Sequence, residues 1–302
     1  MQITDCKITE IFFIIDEFSK VFNDFVKKNT IDDGKPHRNK PNRMSDAEVM
    51  LILIMFHHGE FRCLKSFYIN YICKHCTHLF PKTVSYNRFV ELQRSVLIQF
   101  GYFVKSCLLA PCTGISFVDS TPLRVCREQR IWQHKVFQGL AERGKCSMGW
   151  FYGFKLHLII NDTGEIINFM ITPGNVDDRE PLKHLRFVEK VHGKMFGDRG
   201  YISKELFANL FVDGIQLITK LKKGMKNVLM SQEDKILLRK RSVIESVNDE
   251  LKNIAMIEHS RHRCIANFFT NTFAAIAAYC YFPKKPSLNI IFEENCKQLC
   301  LF

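Results

Sequence analysis

The first third of the chain carries apolar side chains at helical spacing. This pattern appears in residues 5–29, 64–71 and 86–103. A further helix is marked by Ser45 and Glu48, which have the spacing of a capping box and are followed by an apolar run from Val49. The spacing predicts an all-helical region over residues 1–112.

After Pro111 the pattern changes to short β-branched and aromatic runs separated by turns. Strands are predicted over residues 115–118, 151–160, 166–171, 195–196 and 215–221. Residues 161–164, Asn-Asp-Thr-Gly, form a hairpin turn signal between the second and third strands. Helical patterns over 181–191 and 203–211 alternate with the later strands. This order predicts a mixed α/β, or α+β, domain over 113–282 and a poorly ordered tail over 283–302.

Composition excludes several classes of protein. Apolar residues make up 46% of 302 residues, which excludes a disordered or collagen-like chain. The 12 cysteines are too sparse for a disulfide-stapled secreted domain, and the N-terminus lacks a signal-peptide pattern, so we expect a cytoplasmic protein. Apolar runs such as residues 49–56 are far shorter than the roughly 20 residues of a membrane span. The net charge of +12 favours a polyanionic partner.

Two aspartates follow predicted strands. Asp119 comes after residues 114–118, and Asp198 comes after residues 194–197. An ionised carboxylate beside buried strand residues is costly unless a cation meets it, which makes both candidates for ligands. Taken singly, each aspartate is more often a turn former or a helix cap.

A third carboxylate lies on a predicted amphipathic helix. Arg241, Glu245, Asn248 and Lys252 are spaced by four, three and four residues, so they share one helical face opposite an apolar face. The face presents a carboxylate flanked by cations. An ordinary exposed helix with surface ion pairs explains the same pattern.

Taken together, two strand-end aspartates and a glutamate on a later helix resemble the acidic triad of ribonuclease-H-like phosphotransferases. Four sequence blocks narrow the resemblance to bacterial insertion-sequence transposases with an Asp-Asp-Glu (DDE) triad, most closely insertion-sequence family nine-eight-two. The blocks are FVDSTP at 117–122, GFKLHL at 153–158, TPGNVDD at 172–178 and GDRGY at 197–201. Related transposases carry a Tyr, Arg, Glu, Lys signature, which Arg241, Glu245 and Lys252 match, whereas Leu238 stands at the tyrosine position.

The resemblance implies a ribonuclease-H-like catalytic domain with a mixed five-stranded sheet and flanking helices. It implies that Asp119, Asp198 and Glu245 are catalytic and bind two Mg²⁺ or Mn²⁺ ions, with Asp119 bridging them. Such a metal pair suits in-line phosphoryl transfer, and oxygen ligands suit Mg²⁺. The implied partner is double-stranded DNA, both the inverted-repeat ends of the element and its target. By analogy the protein acts as a homodimer on DNA.

Several basic residues are candidates for contacts with DNA. Lys155 and His157 alternate with apolar residues, which places them on one face of a strand, either beside the scissile DNA strand or on an idle polar face. Arg241 and Lys252 would bind phosphates near the cleavage point. Further candidates are Arg199 and a basic stretch that leads into the Glu245 helix and includes Lys220, Lys222, Lys223 and Lys226.

The helical region supplies a candidate reader of DNA ends. Residues 83–103 could form the second half of a helix-turn-helix, with Arg88 and Arg94 available to a groove, although helical packing explains the pattern equally well. Cys73, His75, Cys76 and His78 have zinc-like spacing but lack a second Cys/His pair at finger distance. Buried or free thiols therefore explain this segment better than zinc.

The leading interpretation is a DNA transposase that cuts at the ends of its own element and joins the 3′ ends to target DNA. A ribonuclease-H-like nuclease or resolvase that hydrolyses DNA without joining it is an alternative of the same chemistry. A catalytically inactive DNA-binding relic is an alternative of a different class. The complete set of three carboxylates in the sequence argues against the relic.

Overall fold

A computed structural model describes residues 3–29, 42–59, 61–221, 230–258 and 262–288. The helical elements before the sheet are α1 (Asp5–Asn29), α2 (Asp46–His58), α3 (Leu64–Ser66), a π-helical segment (Phe67–Ile72), α4 (Cys73–His75), α5 (Tyr86–Ser95), α6 (Leu97–Phe103) and a second π-helical segment (Val104–Leu108). The predicted helices are therefore present, with the helix over 86–103 divided at Val96.

Helix α2 forms the centre of the helical region. The predicted capping box is present, because Ser45 accepts a hydrogen bond from the backbone N–H of Glu48 and the Glu48 carboxylate accepts one from the backbone N–H of Ser45. The helix is apolar on all sides and is almost entirely buried. A helix of this kind requires neighbours all round, which α1, α5 and a helix from the far end of the chain provide.

The sheet contains six strands, one more than predicted. They are β1 (Ile115–Cys126), β2 (Glu142–Cys146), β3 (Gly149–Asn161), β4 (Ile166–Pro173), β5 (Gly193–Gly197) and β6 (Ile215–Thr219). The order is β2-β3-β1-β5-β6. β2 pairs with the first part of β3, and β4 pairs with the part of β3 that follows. β1, β3 and β4 are antiparallel neighbours, whereas β1, β5 and β6 are parallel. The unpredicted strand is β2, whose sequence ERGKC lacks an apolar alternation.

The helices that follow β4 cover both faces of the sheet. They are a 3-10 turn (Pro181–Lys183), α7 (Leu185–Val188), a 3-10 turn (Arg199–Tyr201), α8 (Lys204–Val212), α9 (Gln232–Lys240), α10 (Ser242–Asn253) and α11 (Ile265–Cys280). The helix predicted over 181–191 is thus a 3-10 turn followed by one short helix. A further 3-10 segment, Glu128–Gln133, lies between β1 and β2.

The two faces of the sheet have separate cores. One face carries Phe117, Leu123 and Leu156 and belongs to a large core that includes α1, α2, α10 and α11. The other carries Val118 and Ile159 and packs in a smaller core with residues of α7 and α8. Directly paired residues of antiparallel strands point to the same face, so Asp119, which pairs with Leu158, lies on the face of the large core.

Helix α11 joins the helical region to the sheet. Its alanine-rich segment is fully buried against α2, and Phe268 stacks near Phe154 of β3 at 5.2 Å between ring centroids. The Tyr279 hydroxyl donates a hydrogen bond to the Gly164 carbonyl oxygen at the predicted hairpin turn. One hydrophobic core therefore spans residues on both sides of the predicted domain boundary at 112 and 113, and that boundary stays a prediction.

The chain beyond α11 continues along the turn between β3 and β4. The backbone N–H of Leu288 donates to the Asp162 carbonyl oxygen, and the Lys285 ammonium donates to the Cys280 carbonyl oxygen. Residues 289–302 lie outside the described residues. In the described part of the chain, no helix is both long and apolar enough to cross a membrane. The ten described cysteines are free thiols, including Cys73 and Cys76.

A buried histidine connects α2 to the segment after α10. The His57 Nδ1 atom lies 2.5 Å from the carbonyl oxygen of Ala255, and Nε2 lies 3.0 Å from the side-chain amide of Asn271 in α11. Burial lowers the pKa of His57 to about 4, despite these two hydrogen bonds. The ring is therefore neutral in the folded protein at pH 7.

We expect the free energy of unfolding to fall as the pH drops from 7 to 5. In the unfolded chain His57 takes up a proton near pH 6.5, whereas in the folded chain it does so only near pH 4, so acid favours the unfolded state. The contribution of His57 is about 2 kcal/mol over this interval. Urea unfolding at the two pH values, compared between the wild type and His57→Gln, measures it. The exposed His192→Gln variant should retain the wild-type pH slope.

Candidate active site

Asp119 and Asp198 lie side by side at the point where β1 and β5 part. The last parallel pair is Phe117 with Phe196, and each aspartate follows its strand's last pair by two residues. The sequence suggested that Asp119 follows the end of a strand. Strand β1 continues to Cys126, however, so Asp119 lies within it. The pairing with β5 ends there, and this opens a space on one side of β1.

Asp198 also acts as a local cap. Its carboxylate accepts a hydrogen bond of 2.7 Å from the backbone N–H of Gly200 and begins the 3-10 turn Arg199–Tyr201. The hydrogen bond holds the Asp198 carboxylate at the carboxyl end of β5, beside Asp119. The capping role and a ligand role are compatible, because a carboxylate has further lone pairs to offer.

Helix α10 brings the third carboxylate to Asp119. Its apolar face, which includes Val243, Ile244, Val247 and Leu251, is buried, and the helix packs against β1. The opposite face carries Glu245 and Asn248, as the spacing predicts. The Asn248 amide donates a hydrogen bond of 3.2 Å to Asp119 Oδ2.

Arg241 lies between two of the carboxylates. Its Nη2 donates a hydrogen bond of 2.8 Å to Glu245 Oε1, and its Nη1 is 3.8 Å from Asp119 Oδ1. The Arg241 side chain is only 17% exposed, whereas that of Glu245 is 60% exposed. The guanidinium therefore supplies positive charge within the site, and Glu245 stands at its open rim.

The carboxylates influence one another electrostatically. The pKa of Asp119 is raised to about 6, mainly by burial and to a smaller extent by the charges of Asp198 and Glu245, whereas Arg241 and the Ser120 backbone N–H oppose the rise. The three sequence-predicted carboxylates thus share one electrostatic environment.

Buried polar atoms surround Asp119 without hydrogen-bond partners among the described residues. They are Arg241 Nη1, Asn248 Oδ1 and the Tyr201 hydroxyl. Burial raises the pKa of Tyr201 well above its usual value, with Asp119, Asp178 and Asp198 adding to the rise. Asn248 and Tyr201 were not predicted as site residues, although Asn248 shares the Glu245 face and Tyr201 closes the GDRGY block.

The donor set suits a hard divalent cation. Carboxylate oxygens and the free Asn248 amide oxygen are the ligand types that Mg²⁺ and Mn²⁺ take. Within the described ranges, no three His, Cys, Asp or Glu side chains already converge on one point. The donor types therefore suit a hard metal ion, and Arg241 is a cation that contacts both Asp119 and Glu245.

Lys155 and His157 lie on the opposite face of the sheet from Asp119. Lys155 donates hydrogen bonds of 2.8 Å to Asp178 and to the Val176 carbonyl oxygen, and its side chain is 12% exposed. His157 is buried, its Nε2 is 2.9 Å from the Thr172 hydroxyl, and burial lowers its pKa to about 4. Both side chains lie on one face of the sheet, as the alternation predicts. Lys155 contacts the loop after β4 and His157 contacts β4 itself, so neither side chain faces the carboxylates.

The remaining predicted cations are distributed around the molecule. Lys252 forms an ion pair of 3.8 Å with Glu258, which also accepts a hydrogen bond from the Arg124 backbone N–H. Arg88 is exposed on α5 and pairs with Glu91 at 2.8 Å. The side chains of Arg94, Arg199 and Lys220 are exposed. Lys222, Lys223 and Lys226 lie outside the described residues.

Leu238 stands where the related signature has a tyrosine. It is buried in the large core beside Leu237. In this chain the position is occupied by an apolar packing residue of α9.

Comparisons with known proteins agree with this architecture. Residues 109–265 match the family model described as "Transposase DDE domain". The structure is similar to that of the piggyBac transposase in a synaptic complex with hairpin DNA, with a TM-score of 0.50 and 11% identity over 92% of this chain and 72% of that chain. The Mos1 transposase paired-end complex with the left transposon end is a weaker match, with a TM-score of 0.22 and 13% identity over 66% of this chain and 65% of that chain.

Among curated protein sequences, none matches the chain. The resemblance to insertion-sequence family nine-eight-two and the bacterial origin remain predictions. The family model covers more than half of the chain and includes Asp119, Asp198 and Glu245, and the likeness to piggyBac transposase extends to the ribonuclease-H-like fold. The chain therefore belongs to the DDE transposase domain family.

Proposed function

We propose that this transposase cleaves DNA at the ends of its element and joins the 3′-hydroxyl ends to target DNA by metal-dependent phosphoryl transfer. The observation that supports the proposal is that Arg241 contacts both Asp119 and Glu245, while Asp198 follows the parallel pairing of β5 with the strand that carries Asp119. A phosphodiester resists attack because it repels nucleophiles and has a poor leaving group, so a catalyst must neutralise charge and position groups.

Asp119, Asp198 and Glu245 would hold one or two Mg²⁺ or Mn²⁺ ions. When bound, such ions activate an attacking water or 3′-hydroxyl and stabilise the leaving oxygen. Asp119, with two like charges nearby and a pKa of about 6, is the carboxylate that gains most from an added cation. The Gly200 hydrogen bond fixes the Asp198 carboxylate, and the Asn248 hydrogen bond fixes that of Asp119, so the donors are positioned before substrate arrives.

Arg241 has a second role in the proposal. In the absence of other cations it keeps Asp119 and Glu245 together, since it contacts both. Its Nη1 forms no hydrogen bond with the described residues and can donate to a phosphate oxygen near the cleavage point. Exposed Arg199 and Lys220 are proposed contacts for the DNA backbone on the sheet side.

The helical region is the proposed reader of the element ends. Arg88 and Arg94 project from the outer face of α5, whose inner face buries Phe89, Leu92 and Gln93. The DNA present in the piggyBac complex supports double-stranded DNA as the partner. Action as a homodimer, with element ends and target DNA as the two substrates, is part of the proposal.

Replacing Asp119 with Asn should abolish strand cleavage while DNA binding persists. The substitution keeps the shape of the side chain and removes the proposed bridging charge, so we expect a loss of about 10³-fold or more in the rate of Mg²⁺-dependent nicking. The assay uses labelled DNA that carries the inverted repeats flanking the gene. Asp213→Asn, an exposed residue after α8, is the matched control and should cleave like the wild type.

The same assay separates the alternative functions. Joined products support the transposase reaction, hydrolysis without joining identifies a nuclease or resolvase, and binding alone identifies a relic. Retained nicking by a purified Asp119→Asn protein, free of contaminating nuclease, would contradict the assigned role of Asp119.

Glu245→Gln should weaken the binding of Mn²⁺ at least about 10-fold, because it removes one of the proposed charged ligands. Isothermal titration of the DNA-free protein with Mn²⁺ measures this independently of catalysis. Asp249→Asn, four positions further along α10 and exposed, is the matched control and should bind Mn²⁺ as the wild type does. Equal affinities for the wild type and Glu245→Gln would remove Glu245 from the ligand set.

A further inference from the structure

The segment between β1 and β3 forms a basic, aromatic extension that the catalytic site does not use. We define the basic extension as residues 124–150. It contains six Lys or Arg residues and two Asp or Glu residues, and it also contains both tryptophans of the chain, Trp132 and Trp150. The basic residues are all exposed: Arg124, Arg127, Arg130, Lys135, Arg143 and Lys145.

Trp132 is held outward from the basic extension. Its side chain is 95% exposed on the 3-10 segment Glu128–Gln133. Indole burial is worth a few kcal/mol in a folded protein, so packing gives no reason for a tryptophan here. Arg127 and Arg130 precede it in the sequence and Lys135 follows it, so basic residues flank the ring along the chain.

The second tryptophan shows the same combination of ring and cation. The Arg143 guanidinium lies 4.8 Å from the centroid of the Trp150 ring, and the Lys145 ammonium lies 5.8 Å from it. Trp150 is 51% exposed, so this layer of cation and ring faces solvent. Arginine and aromatic rings presented together are typical of surfaces that bind single-stranded nucleic acid.

The base of the basic extension is rigid. Phe137 is buried, with its ring centroid 5.2 Å from that of Phe268 in α11 and 5.9 Å from that of Phe154 in β3. The Tyr152 hydroxyl donates to the Phe137 carbonyl oxygen. Phe154 pairs with Leu123 and so lies on the face of the sheet that carries Asp119. The base of the basic extension therefore packs on the same face of the sheet as Asp119.

Strand β1 fixes the distance between the two sites. It carries Asp119 and runs seven residues further to Cys126, at the start of the basic extension. At about 3.3 Å per residue, this is roughly 20–25 Å. Stacked DNA advances about 3.4 Å per nucleotide, so this length along β1 corresponds to roughly six or seven stacked nucleotides.

We infer that the basic extension binds an unpaired DNA segment next to the cleavage point and that Trp132 stacks on one of its bases. The inference rests on the proposed DNA-cleaving function and names a site that the carboxylate cluster does not include. A duplex keeps its base faces stacked on one another, so an isolated exposed indole finds a free base face only where the strand is unpaired. The surrounding cations bind the phosphates of that strand.

Binding of a 20-nucleotide single-stranded DNA of arbitrary sequence tests the inference without catalysis. Trp132→Ala should lower the affinity about 10-fold or more, whereas Trp132→Phe should retain most of it. Met148→Ala, which changes another highly exposed apolar side chain of the basic extension, is the control and should bind like the wild type. Arg130→Ala should reduce the slope of log affinity against log salt by about 0.7.

Fluorescence gives a direct readout of stacking. In the Trp150→Phe protein Trp132 is the sole tryptophan, and its emission should be quenched by single-stranded DNA but much less by a blunt duplex of equal length. Unchanged emission, or an equal loss of affinity for single strand and duplex in Trp132→Ala, overturns the stacking role. A loss of self-association in Trp132→Ala with unchanged DNA affinity overturns it too, and assigns the surface to a second copy of the chain.

Failure of this inference and failure of the proposed function give different results. If the wild type cleaves element ends and Trp132→Ala binds single strands normally, only the basic extension is wrongly assigned. If the wild type neither binds nor cleaves DNA, the proposed function fails, and the inference fails with it.

Discussion

The structure depends on holding the carboxylate of Asp119 within a sheet whose surroundings are largely apolar. A buried negative charge is costly, and in this chain burial shifts the pKa of Asp119 towards neutrality. Arg241 and the Asn248 amide meet the charge from α10. The parallel register of β1 and β5 adds Asp198 on the other side. Arg241 and Asn248 thus compensate the buried charge in part, whereas Asp198 adds a like charge to it.

The two faces of the sheet have different tasks. The face with Asp119 lies under α10 and α11, and the contact of His57 with Ala255 ties the end of α10 to the helical region. The opposite face packs on α7 and α8, and Lys155 and Asp178 form an ion pair there at 2.8 Å. Because α10 is held by packing on its apolar face, Glu245 and the adjacent Arg241 are presented by a packed scaffold, which the proposed phosphoryl transfer would require.

The sequence predicted which strands are present better than it predicted the residues at which they begin and end. The five predicted strands are present because their β-branched and aromatic residues are buried in the sheet. The end of β1 was misplaced because Ser-Thr-Pro after Asp119 looks like a turn. Beyond Phe117, however, β1 pairs with no described residue on the β5 side, so Pro122 lies where the lack of an N–H is tolerated.

Local sequence patterns also predicted part of the site. Helical spacing puts Glu245, Arg241 and Asn248 on one face whatever the rest of the fold is, and strand ends locate Asp198. His157 lies against the Thr172 hydroxyl of β4. Alternation within one strand does not reveal this contact with the neighbouring strand. The catalytic and DNA-binding roles of these residues stay predictions.

The position of α11 has a consequence for how the polypeptide is made. This helix is translated after the whole sheet, yet its buried alanines complete the packing around α2, near the start of the chain. During synthesis the amino-terminal helices must wait with apolar surface uncovered until residue 280 has left the ribosome. Nascent or truncated chains that stop before residue 265 lack α11 and leave the apolar surface of α2 exposed. We expect such chains to be bound by chaperones or degraded by proteases.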